Sequence, residues 1–177
     1  MNVSDKEITQ FISKFQDKVF RTCLGFVQNA DDALDLTQDV FLSVLESLGS
    51  FRNEAQLSTW VYRIAVNKSL NHLKKKKTRS IMQSLDLLLF KKEGVEPHEH
   101  AHNPIIESEN RMEASKMLKH ALEKLPENQK IAFTLNKYDD LDSSEIAGIM
   151  NVSVSAVDSL LHRAKLNMQK SLQSLRY

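Results

Sequence analysis

Scarcity marks this sequence before any motif does. Of its 177 residues one is cysteine, three are proline and four are glycine. A single thiol cannot build a disulfide framework. So few prolines and glycines leave too little turn chemistry for a sandwich or barrel of many short strands, and long runs pass without a breaker, which points to helices. No run approaches the roughly 18 consecutive apolar residues of a membrane span, and the polar opening residues show no secretory leader. A cytoplasmic protein without membrane insertion is therefore expected. Hydrophobic residues still make up 41% of the chain, enough for one compact core or two small helical ones. Cys23 falls on an apolar helical face, where a packed, inert thiol is expected.

Net charge is also nearly absent, at +1, but the total hides segregation. Residues 1–54 carry a balance of −4, residues 55–85 hold seven bases and no acid, residues 86–113 return to −4 and residues 114–177 reach +2. An autonomous DNA binder spreads more positive charge, because phosphate neutralisation supplies most of its affinity. One basic block suggests DNA at one surface and a different partner at another.

Apolar residues recur at helical spacing in two clusters. Residues 4–28 carry the stripe Ile8, Phe11, Ile12, Phe15, Val19, Cys23 and Val27. Asn29 can cap a second helix over 30–48, with Leu36, Val40, Phe41, Val44, Leu45 and Leu48 inward and Asp32, Asp35, Asp39 and Glu46 outward. That acidic face reads either as ordinary solvated surface or as a partner surface. A third helix runs from about Ser58 to Lys77, with Trp60, Ile64 and Leu73 marking its buried side and Arg63, Asn67, Lys68, Asn71 and Lys74 its polar one. Twenty residues span roughly 30 Å. Lys74–Lys77 also suit the negative pole of the helix they end.

From about Thr78 to Glu109 the pattern weakens. Leu85–Phe90 has the makings of a short helix, but Gly94, Pro97 and Pro104 interrupt the stretch beyond it, so a linker is expected. His98, His100 and His102 share a face in an extended chain; no cysteine or second cluster completes a metal site there, and neither metal nor cofactor is expected.

The last third reads as four helices: 110–124, 126–138, Glu145–Met150 and a final one to about Leu172. Asp142-Ser143-Ser144-Glu145 resembles a capping box, Asn151 can take the left-handed turn conformation, and Ser153 or Ser155 can cap the final helix. Val157, Leu161, Ala164, Met168 and Leu172 form its inner stripe, and small Ala147 permits close approach. This is the pattern of a helix-turn-helix, although a plain helical hairpin shares it.

Three motifs then carry a family resemblance. Asp35-Leu36-Thr37-Gln38-Asp39-Val40-Phe41-Leu42 resembles the D-L-T-Q-E-V-F segment of extracytoplasmic-function sigma factors of the sigma-70 family. Thr59-Trp60-Val61-Tyr62-Arg63-Ile64-Ala65-Val66-Asn67 is similar to their T-W-L-Y-R-I-A-x-N segment. Leu125-Pro126-Glu127, Glu145-Ile146-Ala147 and Val157–Lys165 resemble their fourth region. The resemblance covers nearly the whole chain apart from the linker.

It implies an all-α fold of two small helical domains: region 2 over 1–78, a flexible linker over 79–109, and a helix-turn-helix region 4 over 110–177. It implies an alternative sigma factor, not an enzyme and without catalytic residues, that brings core RNA polymerase to promoter DNA. By resemblance, Asp35, Gln38, Asp39, Leu42 and Glu46 face the clamp helices of the polymerase largest subunit, and region 4 meets the flap. Phe51, Arg52, Trp60, Arg63, Asn67, Lys68, Asn71 and Lys74 contact the −10 element as it melts; for Trp60 a core role is an equal alternative. Ser153, Ser155, Asp158, Ser159, His162, Arg163 and Lys165 face the −35 element. Where the family commonly has V-K-S-R-L-H-R-A-R, this chain places Asp158 and Leu160 at the two early cations. That weakens phosphate attraction, and Asp158 could instead accept from a cytosine amino group. An anti-sigma protein covering the polymerase-binding surfaces would be the simplest regulator. Two other classes compete: a conventional DNA-binding regulator that grips duplex tightly without polymerase, and a metal enzyme built on the histidines.

Overall fold

A computed structural model describes residues 5–47, 57–90 and 109–174. Every regular element among them is an α-helix: α1 (Asp5–Val27), α2 (Ala30–Ser47), α3 (Leu57–Phe90), α4 (Glu109–Glu123), α5 (Glu127–Tyr138), α6 (Ser143–Met150) and α7 (Val154–Ser174). Leu48, Phe51, Arg52 and the histidines at 98, 100 and 102 lie outside the described residues, as does the side chain of Ile8.

The first three helices form a bundle around the stripes read in the sequence. Phe15, Val19, Cys23 and Val27 of α1 meet Leu36, Val40, Phe41 and Val44 of α2, all buried. Asn29 caps α2 by accepting from the Asp32 amide at 2.8 Å, and Asp31 and Asp32 occupy the first turn, where acids oppose the helix dipole. Burial pushes the Cys23 thiol up to about 11, so it stays protonated and unreactive near neutrality.

Two features of α3 differ from the sequence reading. The helix does not stop near Lys77 but continues to Phe90, because no proline or glycine intervenes before Gly94 and Leu85–Phe90 carries on the same helix. Its buried face is also rotated. Val61, Tyr62, Ala65, Val66, Ser69 and Leu70 are buried, whereas Trp60, Ile64 and Leu73 are half-buried at the margin. α3 is gripped by α1 and α2 on one side and touched by α6 on another, so its apolar surface is wider than a single stripe.

The last four helices include the helix-turn-helix. Asp142 accepts from the Glu145 amide at 2.8 Å while Glu145 Oε2 accepts from the Asp142 amide at 3.0 Å, completing the capping box. Asn151 has φ 55° and ψ 49°, and the Val152 amide donates to the Ala147 carbonyl at 3.1 Å, ending α6 in a left-handed turn. Ser153 caps α7 through the Ala156 amide at 3.2 Å. Val157, Ala164 and Met168 face inward.

The two halves touch. Ile131, Ala132 and Leu135 of α5, Ile146, Ala147 and Ile149 of α6, and Val157 of α7 belong to the same apolar cluster as the α1–α3 core. Ala121, Leu122, Leu125, Ala164 and Met168 form a second cluster within the C-terminal half. At the seam, a carbon added at Gly25 of α1 would lie 2.6 Å from Thr134 Cγ2 and 2.9 Å from Tyr138 Cγ of α5. Only the missing side chain lets the helices approach so closely.

Candidate nucleic-acid interface

Three outward stripes carry the residues singled out in the sequence. On α2, Asp35, Gln38, Asp39, Leu42 and Glu46 follow the i, i+3, i+4, i+7, i+11 spacing of one helix face, and all are exposed. Leu42 is 59% exposed and its neighbour Leu34 52%. An acidic face with bare leucines is unusual for plain solvated surface and suits a protein partner. The sequence reading missed Leu34, whose signal was an apolar residue out of phase with the inward stripe.

On α3, Trp60, Arg63, Asn67, Asn71 and Lys74 repeat every three or four residues, with Lys68 beside them. Asn67, Asn71 and Lys74 are exposed, and Arg63 and Lys68 are half-buried. Trp60 packs against the main core, so the indole has an apolar support whatever else it meets. Lys75, Lys76, Lys77 and Arg79 extend the positive charge along the helix, all exposed. Lys76 reaches back to Asp32 at 2.9 Å, with His72 Nε2 3.5 Å from the same carboxylate; burial works to raise the Asp32 carboxyl, but its contacts with Lys76 and His72 outweigh that and hold it below its ordinary range.

Both ends of this stripe are engaged by the C-terminal half. Arg63 donates from Nε to the Ile149 carbonyl at 3.0 Å and from Nη2 to the Gly148 carbonyl at 2.6 Å. These are among the last carbonyls of α6, which have no partner within their own helix, and a cation there also meets the negative pole of the helix dipole. Eleven residues along, Lys74 Nζ lies 3.0 Å from Glu127 Oε2 at the start of α5.

On α7, Ser153, Ser155, Asp158, Ser159, His162, Arg163 and Lys165 are all exposed, and the helical ones lie opposite Val157, Ala164 and Met168. The face is preorganised by local bonds. Arg163 Nε donates to the Ser159 carbonyl at 3.1 Å, and Ser159 Oγ donates to the Ser155 carbonyl at 2.9 Å. Asp158 Oδ1 accepts from Ser143 Oγ of α6 at 2.6 Å, tying the two helices of the motif together. The acid that departs from the family pattern thus has a structural task inside this chain. Val152 and Val154, 41% and 46% exposed, flank the cap and add apolar surface the sequence reading passed over. Lys130 of α5, by contrast, is buried, and burial lowers its ammonium pKa; it contributes no cation to this face.

Among the described residues no group of three or more histidine, cysteine or acidic side chains is arranged to hold a metal, and no helix is long and apolar enough to cross a membrane.

Comparison with known proteins assigns these surfaces a family. Residues 11–79 match the profile described as Sigma-70 region 2, and residues 115–168 match Sigma-70, region 4. The chain is 32% identical over 170 residues to the RNA polymerase sigma-H factor of Pseudomonas aeruginosa, covering 93% of this chain and 85% of that one. It is 31% identical over 176 residues to the ECF RNA polymerase sigma-E factor of Escherichia coli, covering 96% and 88%. Its fold matches the sigma factor RpoE solved with the anti-sigma factor NepR from Bartonella quintana, with a TM-score of 0.64 at 19% identity over 95% of this chain and 98% of that one. The chain belongs to the extracytoplasmic-function sigma factors of the sigma-70 family, alternative sigma factors that bind core RNA polymerase and direct promoter-specific transcription initiation.

Proposed function

We propose that the three stripes divide the work of initiation among them. The α2 face, with Asp35, Gln38, Asp39, Leu42 and Glu46, docks on the clamp helices of the polymerase largest subunit. The α3 stripe of Trp60, Arg63, Asn67, Lys68, Asn71 and Lys74, with Phe51 and Arg52 preceding it, holds the −10 element while a base leaves the stack. Unstacking costs a few kcal/mol, which a cationic helix backed by an aromatic edge can offset. The exposed start of α7 enters the major groove of the −35 element, where early residues of a recognition helix reach base edges and flanking cations fix register. Region 4 also meets the polymerase flap. In this reading region 2 spans residues 1–78, the linker 79–109 and region 4 110–177.

The protein performs no covalent chemistry and works in the cytoplasm. Each grip on DNA is weak, because the cations are few and segregated. Polymerase holds both grips at a fixed spacing, so engagement of one promoter element raises the effective concentration of the other. The observation that carries the reading is the α2 stripe, whose acids and bare leucines are exposed together on one face. A similar fold is solved with the anti-sigma factor NepR, which supports a regulator of that kind covering the same surfaces here.

The test is co-purification with core polymerase followed by run-off transcription from a promoter library. Polymerase-dependent initiation is the expected result. Tight, sequence-specific duplex binding by the isolated chain, with no affinity for polymerase, would establish a conventional DNA-binding regulator instead.

A further inference from the structure

The far part of α3 runs out beyond its packing. Leu70 is the last buried residue described in this helix and Leu73 the last half-buried one; every described side chain from Lys74 to Gln83 is exposed, although the helix continues to Phe90. The stretch from Lys74 to Gln83 alone is roughly 14 Å long. Local chemistry does not favour a helix there. Lys75 and Arg79 stand four apart and Lys74 and Lys77 three apart, so like charges neighbour one another, and no acid occurs over residues 55–85 to separate them. Among the described residues Lys75, Lys77 and Arg79 have no acidic partner. Ile81 and Met82, 52% and 61% exposed, add apolar surface to the same stretch. Crowded cations beside bare apolar side chains suit a polyanion that also has apolar edges.

The residues are also ordered around the helix. Asn67, Asn71, Lys74, Thr78 and Ile81 follow one another at steps of three and four, with Met82 beside Ile81, so the α3 stripe runs unbroken into the overhang. Beyond Lys74 the middle of that stripe is uncharged. Lys75 and Arg79 border it on one side and Lys77 on the other, while Lys76 sits on the opposite face, held by Asp32 at 2.9 Å. The Thr78 hydroxyl donates to the Lys74 carbonyl at 3.0 Å, which leaves its methyl as the group to offer. An apolar ridge with cations along both flanks is the profile of a helix in a major groove. Phosphates run along both sides of that groove, and the thymine methyl is the apolar feature of its floor. The match to Sigma-70 region 2 ends at residue 79 and the match to region 4 begins at 115, so Ile81 and Met82 belong to neither.

We propose that the overhang of α3 is a third promoter contact. Thr78, Ile81 and Met82 enter the major groove of the duplex bordering the −10 element on its −35 side and read a thymine methyl there, while Lys75, Lys77 and Arg79 hold the phosphates on either side. The inference rests on the assignment of α3 to the −10 element. The side follows from the chain, because α3 leads on through residues 91–108 to the half assigned to the −35 element. Lys74 to Met82 spans roughly 12 Å, so the reach is about three to four base pairs. The contact offsets what α7 lacks, where Asp158 and Leu160 stand in place of two cations. It also adds a sequence requirement between the two elements, so a promoter is selected at three places.

The test uses the full chain assembled with core polymerase, and a promoter from the run-off library with the base pairs bordering its −10 element randomised. Wild-type holoenzyme should select thymine on one strand at one or two of those positions. Replacing that thymine by deoxyuridine, which lacks only the methyl, should weaken binding about fourfold, the worth of one buried methyl. With Ile81→Gln and Met82→Gln together, thymine and deoxyuridine should bind alike. Both positions are exposed and Gln is a good helix former, so helical circular dichroism and co-purification with polymerase should hold. Changing Lys75, Lys77 and Arg79 to Gln should weaken binding to every sequence equally and flatten its log–log salt slope by about two to three. Absence of any thymine preference, a methyl effect that survives in the Gln pair, or an unchanged salt slope overturns the proposal. So does loss of polymerase co-purification in either variant, since the overhang then docks on protein. Scrambling the −10 element itself reads the parent assignment separately: binding unchanged by that scrambling removes α3 from the −10 element and this inference with it.

Discussion

α2 and α3 are neighbours in one bundle, each with a polar stripe facing away from the core, and their fates differ. The α2 stripe carries Asp35, Asp39 and Glu46 and stands open to solvent. The α3 stripe carries Arg63 and Lys74, and both are occupied by the C-terminal half. The difference lies in what else the chain can offer. A basic stripe finds partners within its own chain, in the unpaired carbonyls at the end of α6 and in Glu127 at the start of α5. An acidic stripe with bare leucines finds none as suitable nearby. A surface that reads as a nucleic-acid contact can thus be the one the protein itself covers.

The largest expected effect breaks the α2 side of that contrast. Changing Asp35 and Asp39 together to Lys should reduce polymerase co-purification and run-off transcription by about a hundredfold, because like charges set against a basic partner cost several kcal/mol. Both side chains face solvent, so the melting temperature should hold. Undiminished transcription from the double variant would remove the polymerase assignment.

Next come two core truncations that separate the seam from the C-terminal core. Leu135 and Leu122 are both fully buried, and replacing either by Ala should cost about 2–5 kcal/mol of stability in denaturant unfolding. Leu135 belongs to the cluster that runs from α5 into α1 and α3, and Leu122 to the cluster confined to the C-terminal half. Spin labels on the exposed Gln16 of α1 and Gln169 of α7 report the separation of the two halves; Leu135→Ala should therefore also lengthen that distance in the native state, and Leu122→Ala should not. Equal lengthening in both would mean that the two clusters act as one.

A smaller effect is expected at the far end of the stripe. Glu127→Gln removes the partner of Lys74 while leaving the cation in place. Both side chains of this pair are largely exposed, and exposed pairs contribute little. Transcription at low concentration should rise less than about threefold, and the gain should vanish in high salt, where screening has already dissolved the pair. A gain that persists there would assign Glu127 some role other than this pair.

How much of this was legible in the sequence depends on whether the cause was local. The capping box at Asp142 and Glu145, the left-handed turn at Asn151 and the cap at Asn29 are set by residues within a few positions of each other, and each appears where the sequence places it. The inward stripes of α1, α2 and α7 were legible for the same reason. The C-terminal end of α3 was not, since clustered lysines and a change of pattern looked like a boundary although no breaker stood there. Its buried face was misphased because α6 packs on it from the other half of the chain. The same long-range cause hid the task of Gly25, an ordinary mid-helix glycine until α5 is laid across it, and that of Asp158, whose carboxylate reads as a groove contact until Ser143 is found 2.6 Å away.

The smallest expected effect sharpens the contrast by titrating the seam alone. Asp139, just past the end of α5, is half-buried against α1; Oδ2 accepts from Thr22, while Oδ1 is buried and accepts no protein hydrogen bond. Lys18 and Arg21 of α1 and the Asp140 carboxylate face it, with Cys23 and the Tyr62 phenol near. Burial raises its carboxyl to about 6 from 3.8, and Thr22, Arg21 and Lys18 only partly oppose that. Unfolding returns the group to water and to its ordinary value, so the folded chain binds the proton more tightly. Its contribution to stability is complete below pH 3.8 and is lost as pH rises through about 6. Denaturant unfolding of wild type and Asp139→Asn should therefore differ between about pH 5.5 and about pH 7.5, the wild type gaining less than about 1 kcal/mol at the lower pH given partial solvent screening. Asp139→Asn, neutral throughout, should lack this dependence over that interval. A wild type that loses stability at the lower pH relative to Asp139→Asn, or a slope that survives unchanged in the variant, would place the titrating group elsewhere.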